Sequence, residues 1–167
     1  RLDRYINNGK GGFSVSSIGA RDTSSLALGD IDNDGDIDLI TTGNDGSFHF
    51  DKFVNDGSGN FGAPVNLGTG VAASSVALGD IDGDGDLDII VTGADTGSTL
   101  YLDRYLNNGN GTFAGPISFG VLVKGFGGGT SSIALGDVNH DGTLDLIVAG
   151  MDAGGIGRLD LYSNNGV

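Results

Sequence analysis

Short apolar runs separated by segments rich in Gly and Asp extend along the whole chain, and they predict β-strands. In the first complete period the runs cover residues 25–28, 39–42 and 48–54, and a fourth begins near Phe61. We label these strands A, B, C and D. Strand B is almost continuously apolar in every copy, which is typical of a strand buried on both faces. Strand C alternates apolar and polar positions, so we expect it further from the centre of the fold.

The pattern repeats after 50 and then 57 residues. The string SSLALGDIDNDGDIDLITTG at residues 24–43 returns at 74–93 and 131–150, while LDRYINNGKGGF at 2–13 returns at 50–61, 102–113 and, shortened, 159–166. Periods of this length indicate a propeller, a solenoid or an array. Four antiparallel strands per period favour propeller blades packed between neighbouring blades, and a right-handed β-solenoid is the alternative.

The phases of the two strings divide the chain into four parts. Residues 1–23 hold strands C and D of a split blade, 24–73 form repeat 1, 74–130 form repeat 2, and 131–167 form a truncated repeat 3. We therefore predict an all-β fold, a β-propeller of about three four-stranded antiparallel blades. Known propellers have about four blades or more, so the chain is expected to be incomplete as a ring on its own.

Composition excludes several classes of protein. All 22 acidic residues are Asp, Glu and Gln are absent, and Gly occurs 33 times, which excludes a helical protein. The net charge of −14 disfavours nucleic acid as a partner, because eight basic side chains cannot neutralise many phosphates. No apolar run approaches the roughly 18 residues of a membrane span, so membrane insertion is not expected either.

Each A–B connection is an Asp-rich loop of nine residues, which we call loop 1 (30–38), loop 2 (80–88) and loop 3 (137–145). Loop 1 carries five carboxylates, and a pair at about 5 Å repels by about 3 kcal/mol unless a cation lies between them. Oxygen donors without Cys, and without His at a ligand position, favour calcium. The predicted metal ligands occupy odd loop positions: Asp30, Asp32, Asp34, Asp36, Asp38, Asp80, Asp82, Asp84, Asp86, Asp88, Asp137, Asn139, Asp141, Thr143 and Asp145.

Loop 3 is expected to bind most weakly, because Asn139 is neutral and Thr143 has replaced an acid. A turn rich in Asx residues without a metal is the alternative for any single loop. An EF-hand is disfavoured because the twelfth position holds Thr41, Val91 or Val148 where a bidentate Glu belongs. Loop 3 also looks like a dockerin loop, but the LIVAG that follows it is wrong for a helix.

Other chemistry-bearing residues have simpler interpretations. We expect His49 and His140 to be solvated surface residues, and the repeated Ser pairs to bond backbone near the start of strand A. No Ser has a base positioned nearby, so no nucleophilic triad and no enzymatic activity are expected. One position of strand C is aromatic in every copy of the repeat, and it predicts a core between blades. The residues at this position are Tyr5, Phe53, Tyr105 and Tyr162.

Three motifs together resemble a known family. FGAP at 61–64, GDIDGDGDLD at 79–88 and the Asn-Asn-Gly hairpins are similar to the FG-GAP or VCBS repeat, found in integrin alpha-subunit propellers and many secreted bacterial proteins. The resemblance implies propeller blades that hold calcium through the side chains of Asp30, Asp32, Asp34 and Asp38 and the carbonyl of Asp36. The chain departs from the family pattern at Asn139 and in the Phe-Gly pair, which only residues 61–62 keep.

The expected function is a secreted, calcium-stabilised module for binding or adhesion. Three calcium ions would reduce the formal charge from −14 to −8. A carbohydrate or protein ligand would bind the variable loops on the face opposite the Asp loops, and further partners are repeats of the same chain or other copies of it. The alternatives are a structural protein that assembles into a closed oligomeric propeller or a filament, and an accessory domain of a secreted polysaccharide-active enzyme.

Overall fold

The computed structural model describes residues 1–20, 22–68, 72–94, 100–119, 132–151 and 156–166. Thirteen strands lie in these ranges: β1 (Leu2–Asn7), β2 (Phe13–Gly19), β3 (Thr23–Gly29), β4 (Asp38–Asn44), β5 (Phe48–Phe53), β6 (Val65–Asn66), β7 (Ala72–Gly79), β8 (Asp88–Ala94), β9 (Leu100–Tyr105), β10 (Ile117–Ser118), β11 (Ser132–Gly136), β12 (Asp145–Met151) and β13 (Gly157–Tyr162). The described residues include no helix that could cross a membrane.

The strands form four antiparallel sheets in which chain neighbours pair. The sheets are β1-β2, β3-β4-β5-β6, β7-β8-β9-β10 and β11-β12-β13. We call them the half-blade, blade 1, blade 2 and blade 3. The half-blade corresponds to strands C and D, and blade 3 to strands A, B and C. The described fold is therefore all-β and made of incomplete propeller blades, which confirms the fold class.

Strand D is shorter than the sequence pattern suggests. Phe61 makes only an isolated bridge with Asn55, and the paired strand β6 begins later, at Val65. Pro64 lies between the two and has no N–H to donate, so the ladder cannot continue through it. The corresponding strand of the half-blade, β2, contains no proline and is continuous over seven residues.

The hydrophobic core lies between the sheets. The largest of three clusters joins blade 1 to blade 2 and consists of Ile31, Ile40, Phe50, Val76, Ile89, Val91 and Tyr105. The rings of Phe50 and Tyr105 meet across this boundary edge to face, with centroids 5.0 Å apart. Similar clusters join the half-blade to blade 1 and blade 2 to blade 3. Each blade therefore depends on its neighbour for burial.

Two predictions about single side chains are wrong. His49 is 8% exposed rather than solvated, and its Nε2 lies 2.5 Å from Asp45 Oδ1. Its strand partner is Gly43, which has no side chain to occupy the space beside the ring. The aromatic position of strand C lies in the core at Phe53 and Tyr105. At the same position Tyr5 is 66% exposed, because no described sheet covers that face of the half-blade.

Candidate metal centre

Loops 1 to 3 and the C–D hairpins lie on the same face of the array, because strands A and C both run toward it. The fourth loop position adopts a left-handed conformation at Asn33 (φ 62°) and His140 (φ 61°), and Gly83 occupies it in loop 2. The sixth position is Gly in every loop, also with positive φ. These two residues turn the loop back on itself and bring its odd positions together.

The last Asp of each loop is fully buried and joins the loop to the C–D hairpin. In loop 2, Asp88 Oδ2 accepts the N–H of Ile81 at 2.9 Å, and Asp88 Oδ1 accepts the N–H of Asn107 at 2.8 Å. Asp38 and Asp145 accept the equivalent pairs of bonds. Burial raises the pKa of Asp88 despite these bonds, so its charge is poorly compensated by the protein alone.

Two Asp triads are arranged to hold a metal ion. Asp30, Asp32 and Asp38 each offer one oxygen, and the three oxygens lie within 4.8 Å of one another; Asp80, Asp82 and Asp88 repeat the arrangement. Asp32 Oδ1 is buried and has no hydrogen-bond partner. Burial, followed by the charges of Asp38 and Asp34, raises the pKa of Asp32. A buried, unpartnered oxygen beside two further carboxylates fits a hard divalent cation.

Positions five and seven are not among the triad residues. Asp34 and Asp84 each accept the N–H two residues ahead, at 2.9 Å. The carboxylate of Asp36 lies against the hairpin glycine Gly57, where an added Cβ would come within 2.6 Å of Oδ2. The side chain of Asp36 is thus engaged by the hairpin, which is compatible with the resemblance, in which position seven contributes its carbonyl.

Loop 3 differs from the other two. Asp141 accepts hydrogen bonds from Thr143 and Asn139 that lower its pKa, whereas Asp137 accepts the N–H groups of Asp141 and Gly142 just as Asp30 accepts those of Asp34 and Gly35 in loop 1. Within the described residues of loop 3, no three acidic side chains gather as they do in loops 1 and 2. The weaker binding expected of loop 3 stays a prediction.

Sequence reasoning missed the role of the hairpin asparagines, which it used only as part of the Asn-Asn-Gly hairpin motif. Asn107 Nδ2 donates to Leu87 O in its own blade and to Ile31 O in blade 1. The signal was present, because the first Asn is the same in all four hairpins while the next residue varies between Asn and Asp. A turn would accept Asn or Asp at either position, so the constant first Asn indicates a role beyond the turn. Most of the variable loops on the opposite face lie outside the described residues.

Comparison with known protein families identifies the family of the chain. A model described as FG-GAP-like repeat matches residues 30–91 and 80–148, and the two matches together span well over half of the chain. No curated protein matches the chain significantly. The matched segments contain the two Asp triads, blade 1 without β3, the whole of blade 2 and all of loop 3. The chain belongs to the FG-GAP-like repeat family.

Proposed function

We propose that this chain is a calcium-stabilised, non-enzymatic module in which loops 1, 2 and 3 each bind one calcium ion. The observation that carries the proposal is the buried oxygen Asp32 Oδ1, which no hydrogen-bond donor satisfies. Calcium accepts six to eight oxygen ligands with flexible geometry, whereas magnesium demands a near-ideal octahedron and zinc prefers nitrogen or sulfur. A loop of alternating carboxylates with one carbonyl suits calcium best.

The proposed secretion of the chain rests on the same calcium chemistry. Modest calcium sites are filled at the millimolar concentrations found outside cells and stay empty at cytosolic concentrations. A fold stabilised by such sites is therefore suited to an extracellular setting. Rigid blades that carry variable loops are typical binding scaffolds, and the role we propose is recognition of a carbohydrate or protein ligand. With three ions bound the chain still carries a formal charge of −8, which disfavours nucleic acid.

Thermal unfolding in calcium, magnesium or chelator tests the metal part of the proposal. Calcium should raise the midpoint of the wild-type chain, and Asp80→Ala should reduce that rise. Asp22→Ala is the matched control, because it removes the same charge from an exposed side chain outside the loops. An unchanged midpoint on chelation would contradict the proposal. Binding to a glycan array in calcium, compared with Asp80→Ala, tests the ligand part.

Self-assembly is a second candidate, favoured by apolar surface at both ends of the array. Leu26 and Leu28 of blade 1 are more than half exposed, as are Leu159 and Leu161 of blade 3. The blade 2 counterparts of Leu26 and Leu159, which are Val76 and Leu102, are buried between sheets. Further repeats of the same chain or other copies would cover these faces. The native mass of the chain in calcium tests self-assembly, since a monomer at high protein concentration argues against it.

A further inference from the structure

The C–D hairpin of blade 2 lies on loop 1 of blade 1. Asn107 Nδ2 donates to Ile31 O at 2.8 Å, and Asn33 Nδ2 donates to Gly109 O at 3.3 Å. Lys52 Nζ, from β5 of blade 1, donates to a carbonyl further along the same hairpin. We call residues 107–113 hairpin 2. Its contacts with loop 1 are thus polar and cross the blade boundary.

Hairpin 2 fixes the peptide between two of the predicted ligands. The N–H of Ile31 donates to Asp38 Oδ2, and its carbonyl accepts from Asn107. Ile31 lies between Asp30 and Asp32 in the chain, so holding both of its backbone polar groups orients both neighbouring carboxylates. One of these bonds comes from loop 1 itself, and the other comes from the next blade.

Hairpin 2 also shields loop 1 from water. A Cβ added to Gly111 would lie 3.1 Å from the Cβ of Asp32, so the hairpin backbone passes directly over that ligand. Asp32 is partly buried, whereas its counterpart Asp82 in loop 2 is exposed. Exclusion of water strengthens the attraction between a carboxylate and a cation, provided that the cation is present.

The three loops form a series. Loop 1 has the full hairpin 2 over it, and loop 2 receives one equivalent bond, from Asn164 Nδ2 to Ile81 O at 2.8 Å. Within the described residues, no hairpin from a following blade lies over loop 3. Among the described residues, which end at 166, the contacts therefore decrease from loop 1 to loop 3, independently of how many acids each loop contains.

We propose that the calcium sites in loops 1 and 2 are completed by the hairpin of the following blade, with Asn107 as the positioning residue for loop 1. The inference rests on the proposed calcium function and adds its regulation: docking of blade 2 on blade 1 strengthens calcium binding at loop 1. By reciprocity, calcium in loop 1 strengthens the boundary by the same factor. The predicted order of affinity is loop 1, then loop 2, then loop 3.

A calcium titration of the ¹⁵N-labelled full chain tests this loop by loop. The amide resonances of Gly35, Gly85 and Gly142 report loops 1, 2 and 3 separately. Asn107→Ala should weaken binding at loop 1 about tenfold, as expected for one buried hydrogen bond, and weaken loop 2 much less. Equal weakening at both loops, or an unchanged loop 1, would overturn the inference.

Asn55→Ala is the matched control. Asn55 has the same position in blade 1 and donates to Ile37 O of its own blade, as Asn107 does to Leu87 O. The described residues show no bond from Asn55 Nδ2 to a preceding loop. Asn55→Ala should therefore weaken calcium binding at loop 1 only slightly, by the same factor as Asn107→Ala weakens it at loop 2. A tenfold weakening at loop 1 by Asn55→Ala would contradict the inference.

Lys52→Met keeps the test decisive if Asn107→Ala fails to fold. Loss of a positive charge beside loop 1 would by itself tighten calcium binding, whereas loss of the bond to hairpin 2 should weaken it several-fold. Tighter or unchanged calcium binding at loop 1, as reported by the Gly35 resonance, would overturn the inference. If no glycine resonance of the wild-type chain responds to calcium, the proposed function fails as well; if all respond but the variants behave like wild type, only this inference fails.

Discussion

Ser25 Oγ accepts a hydrogen bond from the backbone N–H of Val76 at 3.1 Å, across the boundary between blade 1 and blade 2. Ser75 makes the same bond with Ile133 of blade 3 at 3.2 Å. The sequence pattern indicated that the Ser pairs bond backbone near strand A. The structure refines this, because the backbone belongs to strand A of the next blade.

Ser25→Ala and Ser75→Ala should each lower the free energy of unfolding by about 1–2 kcal/mol, since each leaves a backbone N–H of the next blade without its partner. Ser132 has the same position in blade 3, is exposed, and has no described blade beyond it. Ser132→Ala should change the free energy by less than about 0.5 kcal/mol. Urea unfolding of the three variants measures the difference, and equal losses would contradict a role between blades.

Asp88→Ala should be more destabilising than Asn139→Ala, even in chelator. Asp88 is fully buried and accepts two backbone N–H groups, so its loss leaves two unpaired donors at about 1–3 kcal/mol each. Asn139 is exposed, and its replacement should cost less than about 1 kcal/mol. Chemical unfolding without calcium compares the two variants. The reverse order would show that the last Asp of the loop is not a structural link.

His140→Asn should stabilise the chain slightly, by about 0.5 kcal/mol. His140 has φ 61°, a conformation that Asn tolerates better than most side chains, and loop 1 already places Asn33 there with φ 62°. Because His140 is exposed, the replacement removes no core contact. Thermal unfolding in calcium measures the change, and a clear loss of stability would mean that the imidazole makes an important contact.

Asp103→Asn should stabilise the chain at neutral pH. Burial raises the pKa of Asp103, partly offset by a hydrogen bond from Ser118. A raised folded-state pKa means that the stability present below the unfolded pKa is lost as the pH rises through the folded value. The variant should therefore have the higher thermal midpoint at pH 7, and the two midpoints should converge near pH 4, with chelator present throughout.

The control for this pH effect is Asp160→Asn. Asp160 has the same strand position in blade 3 but forms an ion pair with Arg158 at 3.1 Å. Removing its charge should bring no gain at pH 7. A gain for Asp160→Asn equal to that for Asp103→Asn would indicate a general effect of net charge rather than burial of Asp103.

The sequence predicts what depends on local chemistry. The repeated Asp loops and apolar runs locate strands A, B and C, and Asn139 and Thr143 mark loop 3 as different. It does not predict what depends on neighbouring blades. The exposure of Tyr5 and the bond from Asn107 to Ile31 each depend on which sheet lies alongside, and one period of the repeat contains no such information.

The metal content of the folded chain tests the central claim most directly. Native mass spectrometry of the chain equilibrated with calcium should show up to three bound ions, and Asp80→Ala should lose one of them. Asp22→Ala, with the same change in charge outside the loops, should keep all three. A wild-type chain that remains folded and carries no specifically bound calcium would contradict the account.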